Sequence, residues 1–257
     1  MVMGLGNTNL HELRGMLTNL DARTRTILPV IEQHLAQHDG YVSFSGGKDS
    51  VTVVHLARTV CPTVPVVWFD SGLEYPDNRT YIDRIASAWG LNLHVIPAVP
   101  DALTLLEETG VWNHTADHQT NPINFHDTLI TVPSTTAHER FGAGELSGLR
   151  VDESIARRRL LASRHGHYTR KTGAQVYAPI WDWRARDVHA YHATHKIPEN
   201  PVYTQYRAVG APEQYARVGL VLDGNALNYG RVTWLKAAYP DVYHTLLARL
   251  PRLSEWA

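Results

Sequence analysis

Residues Ser45-Gly46-Gly47-Lys48-Asp49-Ser50 follow the apolar run Tyr41-Val42-Ser43-Phe44 and precede Val51-Thr52-Val53-Val54-His55-Leu56-Ala57. The order is a short buried strand, a glycine turn and an apolar helix. Two adjacent glycines let the backbone approach an anion closely and turn its N–H groups inward. Ser45 and Ser50 add hydroxyl donors and Lys48 adds a mobile cation. A helix starting near Ser50 points its positive end at the same place. Such a loop is a cradle for phosphate or pyrophosphate. It is not the Walker loop, which needs four residues between its first glycine and Gly-Lys-Ser/Thr.

A second group of residues suits the same chemistry. In Gly148-Leu149-Arg150-Val151-Asp152-Glu153-Ser154-Ile155-Ala156-Arg157, Arg150 is expected to end a strand. Glu153, Ser154 and Arg157 are expected in the first turns of a helix, with Arg150, Ser154 and Arg157 near one face. Two guanidinium forks at a strand end suit a polyphosphate, because Arg binds phosphate oxygens bidentately. The competing reading is a surface helix on which Glu153 pairs with Arg150 and Arg157. No acidic residue lies between Ser154 and Trp181, whereas Arg157, Arg158, Arg159, Arg164, Arg170 and Lys171 do. No aromatic or sequence-reading motif accompanies that basic run, so a solvated face is the preferred reading over a nucleic-acid or acidic-partner contact. His189, His192 and His195 step three apart on an expected helix. They drift around it with no carboxylate or cysteine beside them, which argues against a metal site.

The elements that must position these groups alternate. Residues 8–37 read as a long helix with Leu10, Leu13, Leu17 and Leu20 on one stripe. Strands are expected over Tyr41–Phe44, Val64–Phe69, Leu91–Ile96 and Glu145–Leu149, and helices over Pro76–Trp89, 152–163 and 184–195. Residues 110–144, rich in His, Asn, Thr and Pro, read as a partly irregular connection. The tail reads as two helices, 226–238 and 241–250, split by Pro240. Its Trp234, Leu235, Tyr239, Tyr243, Leu246 and Leu247 are core or subunit-interface residues, which leaves a homodimer open. The fold class is α/β: a twisted parallel sheet with helices on both faces and a C-terminal helical extension. The division is residues 1–206 for the main domain and 207–257 for the extension. In such sheets ligands bind beyond the carboxyl ends of the strands, so the glycine loop and the Asp70-Ser71-Gly72 turn are expected to face one crevice.

Composition narrows the rest. The chain has 257 residues and a formal net charge of −1, which announces no nucleic-acid binder. It carries no apolar stretch long enough to span a bilayer and no signal-peptide pattern at its start. One cysteine, Cys61, makes no intrachain disulfide, and no iron–sulfur cluster or Cys-rich zinc site. A cytoplasmic location is the economical expectation.

The string Ser-Gly-Gly-Lys-Asp-Ser resembles the PP-loop of the ATP pyrophosphatases, which cleave ATP between its α and β phosphates. Gly148-x-Arg150-x-x-Glu153-Ser154-x-x-Arg157 resembles the second motif of the phosphoadenosine phosphosulfate (PAPS) reductase-like branch of that group. Asp70-Ser71-Gly72-Leu73-Glu74-Tyr75-Pro76 resembles its Asp-Thr-Gly-x-x-x-Pro turn. Pro179-Ile180-x-x-Trp183-x-x-x-Asp187-Val188-x-x-Tyr191 and Ile197-Pro198-x-Asn200-Pro201-x-Tyr203 resemble two further motifs in family order. The resemblance runs from about residue 25 to 206. It implies an adenine-nucleotide α-hydrolase-like fold with ATP or a related adenylate in the crevice.

It also implies roles. The nucleotide site would comprise Ser43, Phe44, Ser45, Gly46, Gly47, Lys48, Asp49 and Ser50 with Asp70, Gly72, Arg150 and Ser154. Lys48, Arg150 and Arg157 would neutralise the charge that develops on the phosphates, and Asp49 is the candidate ligand for Mg²⁺. The departure from the family is sulfur chemistry. Leu220 and Asp223 of Gly219-Leu220-Val221-Leu222-Asp223 stand where some relatives carry cysteines. Reductive sulfite release needs a thiolate nucleophile. The chain is therefore expected to be an ATP pyrophosphatase that adenylates an acceptor for sulfur insertion, with no iron–sulfur cluster. It is similar to the cysteine-free ATP-hydrolysing component of DNA phosphorothioation systems, where a cysteine desulfurase supplies sulfur and DNA is reached through partners. The rivals are an enzyme that handles PAPS with a partner's thiol and a non-catalytic adenylate-binding scaffold.

Overall fold

The computed structural model describes residues 20–110, 125–222 and 231–257. Helix α1 (Leu20–His38) leads into β1 (Gly40–Ser43), α2 (Lys48–Val60), β2 (Pro65–Asp70), α3 (Pro76–Trp89), β3 (Asn92–Pro97) and α4 (Ala102–Thr109). After α5 (Val132–Phe141) come β4 (Gly144–Leu146), α6 (Ile155–Leu161), β5 (His167–Thr169), β6 (Gln175–Tyr177), α7 (Ala185–Thr194), α8 (Pro201–Ala208), α9 (Arg231–Ala238) and α10 (Pro240–Arg249). The strands form one six-stranded sheet in the order β3-β2-β1-β4-β6-β5. β1 runs parallel to β2 and β4, and β4 parallel to β6, while β5 is antiparallel to β6.

The expected α/β class holds, with three corrections. First, the sheet ends in an antiparallel hairpin, β5–β6, that the sequence reading did not foresee. Three-residue strands are too short to show a period of two, and the basic residues around them read as surface. Second, residues 132–141 of the stretch read as irregular are helical. Pro133 and the β-branched Thr131, Val132, Thr135 and Thr136 argue against a helix by propensity. Pro133 comes just after the π-helical turn Asp127–Thr131, where the α-helical hydrogen-bond ladder is already interrupted. Third, Pro201–Ala208 forms a helix, capped by the Asn200 side chain, which accepts from the Val202 N–H at 3.0 Å. Part of the long first helix, with Leu10, Leu13 and Leu17, lies outside the described residues.

Two positions at the start of the central strands admit only glycine. Gly40 is in register with Gly144. A Cβ on Gly40 would lie 1.6 Å from the Gly144 carbonyl oxygen, and one on Gly144 would lie 2.2 Å from the Asp39 carbonyl oxygen.

The described residues fall into two compact units. Of these residues the first draws on 20–68, 85–94 and 135–199, the second on 69–84, 95–110, 125–134, 200–222 and 231–257. In the first, α2 is buried nearly all round: Val51, Thr52, Val53, Val54, Leu56 and Ala57 are all buried. That burial overrides the weak helix preference of β-branched residues. Beneath β1 lies a buried ion pair. Glu145 on β4 is 2 % exposed, receives two hydrogen bonds of 2.9 Å from the Arg170 guanidinium and one of 2.7 Å from the Ser43 hydroxyl. Arg170 is therefore an internal partner, not a member of the basic surface.

In the second unit Leu105, Leu106, Tyr206, Leu235, Tyr243, Leu246 and Leu253 belong to one core. Leu235, Tyr239, Tyr243 and Leu246 are thus core residues, with Trp234 and Leu247 part-buried against them. Pro240 opens α10 at its first turn, dividing the tail as its sequence implied. Among the described residues no helix is long and apolar enough to cross a membrane.

Candidate nucleotide site

The loop between β1 and α2 is closed by its own serines. The Ser50 hydroxyl donates to the Gly47 carbonyl at 2.9 Å and accepts the Ser45 N–H at 3.2 Å. The Ser45 and Ser50 hydroxyls are 3.2 Å apart, and the Gly47 N–H reaches the Ser45 hydroxyl at 3.4 Å. Phe44 continues the strand pairing, its N–H donating to the Val67 carbonyl at 2.8 Å. Gly46 turns with φ +76°, which a side chain would resist. Gly47 is the N-cap of α2 and no side chain caps it. The helix begins at Lys48, two residues earlier than the sequence suggested, so its positive end points into the loop.

Asp49 is the hub of the charges. One carboxylate oxygen accepts from Arg150 Nε at 2.7 Å and the other lies 3.2 Å from Lys48 Nζ. Arg150 is 3 % exposed and also donates from Nη1 to the Trp183 carbonyl at 3.2 Å. Gly148 lets the chain after β4 lie against α2: a Cβ there would sit 2.9 Å from both the Asp49 carbonyl carbon and the Ser50 nitrogen. Lys48, Asp49 and Arg150, 101 residues apart between the last two, thus meet at one helix end.

The expected single helical face does not form. Val151–Glu153 is a short 3₁₀ turn, and Ser154 is extended at φ −167°, ψ 159°. Ser154 caps α6, its hydroxyl accepting the Arg157 N–H at 3.1 Å. Serine competes with the backbone in this way, which favours helix starts over interiors. Glu153 accepts the Arg150 backbone N–H at 3.0 Å and pairs with the Arg157 guanidinium. The competing reading of this segment therefore describes Arg157, but not Arg150, whose guanidinium turns inward to Asp49. Arg158 and Arg159 are exposed. Arg150→Ala is expected to reduce nucleotide turnover more than Arg157→Ala, and Arg158→Ala not at all. Steady-state rates of the three variants check the order, and equal losses would indicate a diffuse basic surface.

Sequence reasoning missed His192. Its Nε2 lies 3.0 Å from the Lys48 carbonyl and 2.9 Å from the Thr52 hydroxyl, pinning the first turn of α2 to α7. Burial, aided by nearby His189 and Lys48, holds its pKa down at about 4. It is a neutral donor to the carbonyl, whose oxygen can only accept. The signal was the spacing of His189, His192 and His195, read only as a metal question. His195 instead packs against His55 and Tyr191, with ring centroids 5.0 and 4.2 Å away. Among the described residues no group of three or more His, Cys, Asp or Glu is arranged to hold a metal ion.

Asp70 and Gly72 belong to the second unit. One Asp70 oxygen accepts the Gly72 N–H at 2.9 Å, and the other pairs with Arg79 at 3.0 Å. In the same unit Leu222 is 1 % exposed, and the Val221 N–H donates to the Leu73 carbonyl at 2.9 Å. Asp223 lies outside the described residues. Cys61 caps the far end of α2 and is half-buried.

A glycine loop at a strand end, with a lysine, an aspartate and a buried arginine at one helix start, is the candidate nucleotide-phosphate site. The model of the phosphoadenosine phosphosulfate reductase domain matches residues 40–222, and the chain belongs to that family of nucleotide-handling enzymes. It is similar to the phosphoadenosine 5'-phosphosulfate reductase of Xylella fastidiosa (strain M12), 28% identical over 206 residues, 79% of this chain and 82% of that one. The enzyme of the same name from Alteromonas mediterranea is 30% identical over 172 residues, 66% of each. Among solved structures, the NH3-dependent NAD synthetase of Campylobacter jejuni has a TM-score of 0.50 at 14% identity, over 93% of this chain and 96% of that one. That is a likeness of fold.

Proposed function

We propose that this chain is an ATP pyrophosphatase that forms AMP and pyrophosphate by adenylating an acceptor. The observation that supports it is the loop in which Lys48, Asp49 and Arg150 meet at the start of α2. Loop N–H groups and Lys48 hold the β and γ phosphates, and Arg150 stabilises charge developing at the α-phosphate. Mg²⁺ typically binds through one or two carboxylates and the substrate's own phosphates. Asp49 fits that role by exchanging the Lys48 ammonium for the ion. Positioning and electrostatics then carry the reaction without a dedicated general base.

Sulfur is proposed to come from elsewhere. Cys61 caps the far end of the 13-residue α2, and at 1.5 Å per residue that is about 20 Å from the loop. A thiol there cannot attack a nucleotide held at Lys48. The proposed task is activation of an acceptor for sulfur insertion, as in DNA phosphorothioation, with a cysteine desulfurase as donor and Ser154 completing the nucleotide site. The relatives' names favour a second reading, PAPS handled with a partner's thiol.

Product analysis separates the readings. AMP and pyrophosphate from ATP with Mg²⁺ support the first, and ADP with orthophosphate overturns it. Sulfite release from PAPS with an added thiol protein supports the second, and binding without turnover supports a scaffold. Cys61→Ser is expected to keep both ATP cleavage and any sulfur-modification phenotype. Loss of modification with normal ATP cleavage in a complemented host would show that this chain carries the sulfur.

A further inference from the structure

One face of the first unit, between α1 and the β5–β6 hairpin, has features that the glycine loop does not use. Two cavities there, of about 460 and about 280 Å³, share His167 as a wall. The larger is lined by His34, His38, Arg164, His167 and Thr169, with no carboxylate among its lining residues. The smaller is lined by Arg23, His165, Tyr177, Trp181 and Trp183. Its one carboxylate, Asp182, is paired with Arg23 at 3.2 Å.

The walls are aromatic. His167 stacks on Tyr177 with ring centroids 4.3 Å apart and planes 10° from parallel, and His167 itself is exposed. The His165 ring stands edge-on to Trp181 at 5.8 Å. One buried nitrogen, Trp183 Nε1, has no hydrogen-bond partner within the protein, and Trp183 lines the smaller cavity. Buried polar atoms in that state are rare and ask for a ligand or water. Arg164, a wall of the larger cavity, is exposed, as are Arg158 and Arg159 on α6 and Lys171 in the β5–β6 turn. The chain from Ile155 to Trp181 contains no Asp or Glu to offset them.

We propose that this groove binds single-stranded nucleic acid, its bases stacking on His167 and Trp181 and its phosphates following Arg158, Arg159, Arg164 and Lys171. Aromatic platforms beside a cationic track are the two components of sequence-tolerant strand binding. Two cavities with a common aromatic wall suit successive bases better than one free nucleotide, and ring stacking requires bases that are not paired. The sequence hid this because its aromatic residues lie on both sides of the hairpin turn and meet only in the fold. The inference does not rest on the pyrophosphatase reading, since no residue of the glycine loop takes part.

The test is fluorescence anisotropy of a labelled mixed-sequence DNA strand of about twelve nucleotides, within the usual site sizes, on the full chain. Binding is expected, and with four phosphate contacts it should weaken roughly fiftyfold between about 50 and about 200 mM salt. Arg164→Glu, a surface change, and His167→Ala with Trp181→Ala are each expected to weaken it about tenfold or more. Lys48→Ala should leave it intact. No binding at low salt, equal affinity for duplex, full displacement by dAMP, indifference to both groove variants or loss in Lys48→Ala would each overturn the proposal. Failure of ATP cleavage would leave these binding results unaffected, so the two readings fail separately.

Discussion

Asp49→Ala is expected to remove nucleotide turnover and to lower the stability of the chain at once. Arg150 is buried with its Nε 2.7 Å from Asp49, and its side chain is 4 % exposed. Removing the carboxylate leaves a buried guanidinium with the Trp183 carbonyl and the more distant, exposed Asp152 carboxylate at 3.7 Å, and breaking such a pair costs about 3 kcal/mol. Typical domains are stable by roughly 5–15 kcal/mol, so the variant should keep a folded circular dichroism spectrum with a clearly lower denaturation midpoint. Adding Arg150→Met should restore much of the stability, because no charge is then stranded, but none of the activity. Arg150→Ala alone should cost about two to three orders of magnitude in rate, the scale for one preorganised donor at a developing charge. If the double variant is no more stable than Asp49→Ala, the pair is not the source of the loss.

The second large effect is expected at Arg170→Ala. Burial pushes the Glu145 carboxyl up, and the nearby His138 ring, the Arg170 hydrogen bonds and charge and the Ser43 hydroxyl outweigh it, holding the pKa at about 2. Without Arg170 the buried carboxylate loses its guanidinium and keeps the Ser43 hydroxyl, and stability at neutral pH should fall by about 3 kcal/mol. The sign with pH follows. A carboxyl whose folded pKa is below its ordinary value stabilises fully above that value and loses the contribution as pH falls through the folded one. Wild-type stability should therefore drop between pH 4.5 and about 2 on this account. The deficit of Arg170→Ala should shrink over the same range, as Glu145 becomes neutral in both states. Denaturant titrations from neutral pH to pH 3 measure it, and a pH-independent deficit would mean that lost packing, not charge, is responsible.

Arg170 also shows where sequence reading stopped. It stands in a run of basic residues and reads as surface, because nothing local reveals a glutamate 25 residues earlier. Glu145 in turn reads as the start of a strand, not as a buried charge. The strand, glycine turn and helix around Ser45 to Ser50 were legible apart from the helix start, two residues early, because their signals are local: an apolar run, adjacent glycines and a second apolar run. So was α3, whose span Pro76–Trp89 agrees residue for residue, because a proline start and a clear apolar period mark it. The partnership of Asp49 with Arg150 was legible only as two separate motifs. The break at Ser154 went unseen because helical spacing was assumed to run through a residue that prefers to cap. His192 was visible as a residue and invisible as a function, since its partner is a backbone carbonyl that every sequence possesses.

The pair Gly40 and Gly144 carries a consequence for how this chain can drift. A first side chain atom at either would meet peptide backbone of the neighbouring strand, at 1.6 and 2.2 Å, and backbone cannot swing aside as a side chain tip can. The two positions face each other in register, so enlarging one gives no room to the other. No order of single replacements leads away from this pair without passing through a chain whose central strands are prised apart. The strands so pinned end at Ser43 and Leu146, the last ordered steps before the two loops that deliver Lys48, Asp49 and Arg150. Two residues with no chemistry of their own therefore restrict the inheritance of this sequence as tightly as the charged groups they support from the opposite end of the sheet.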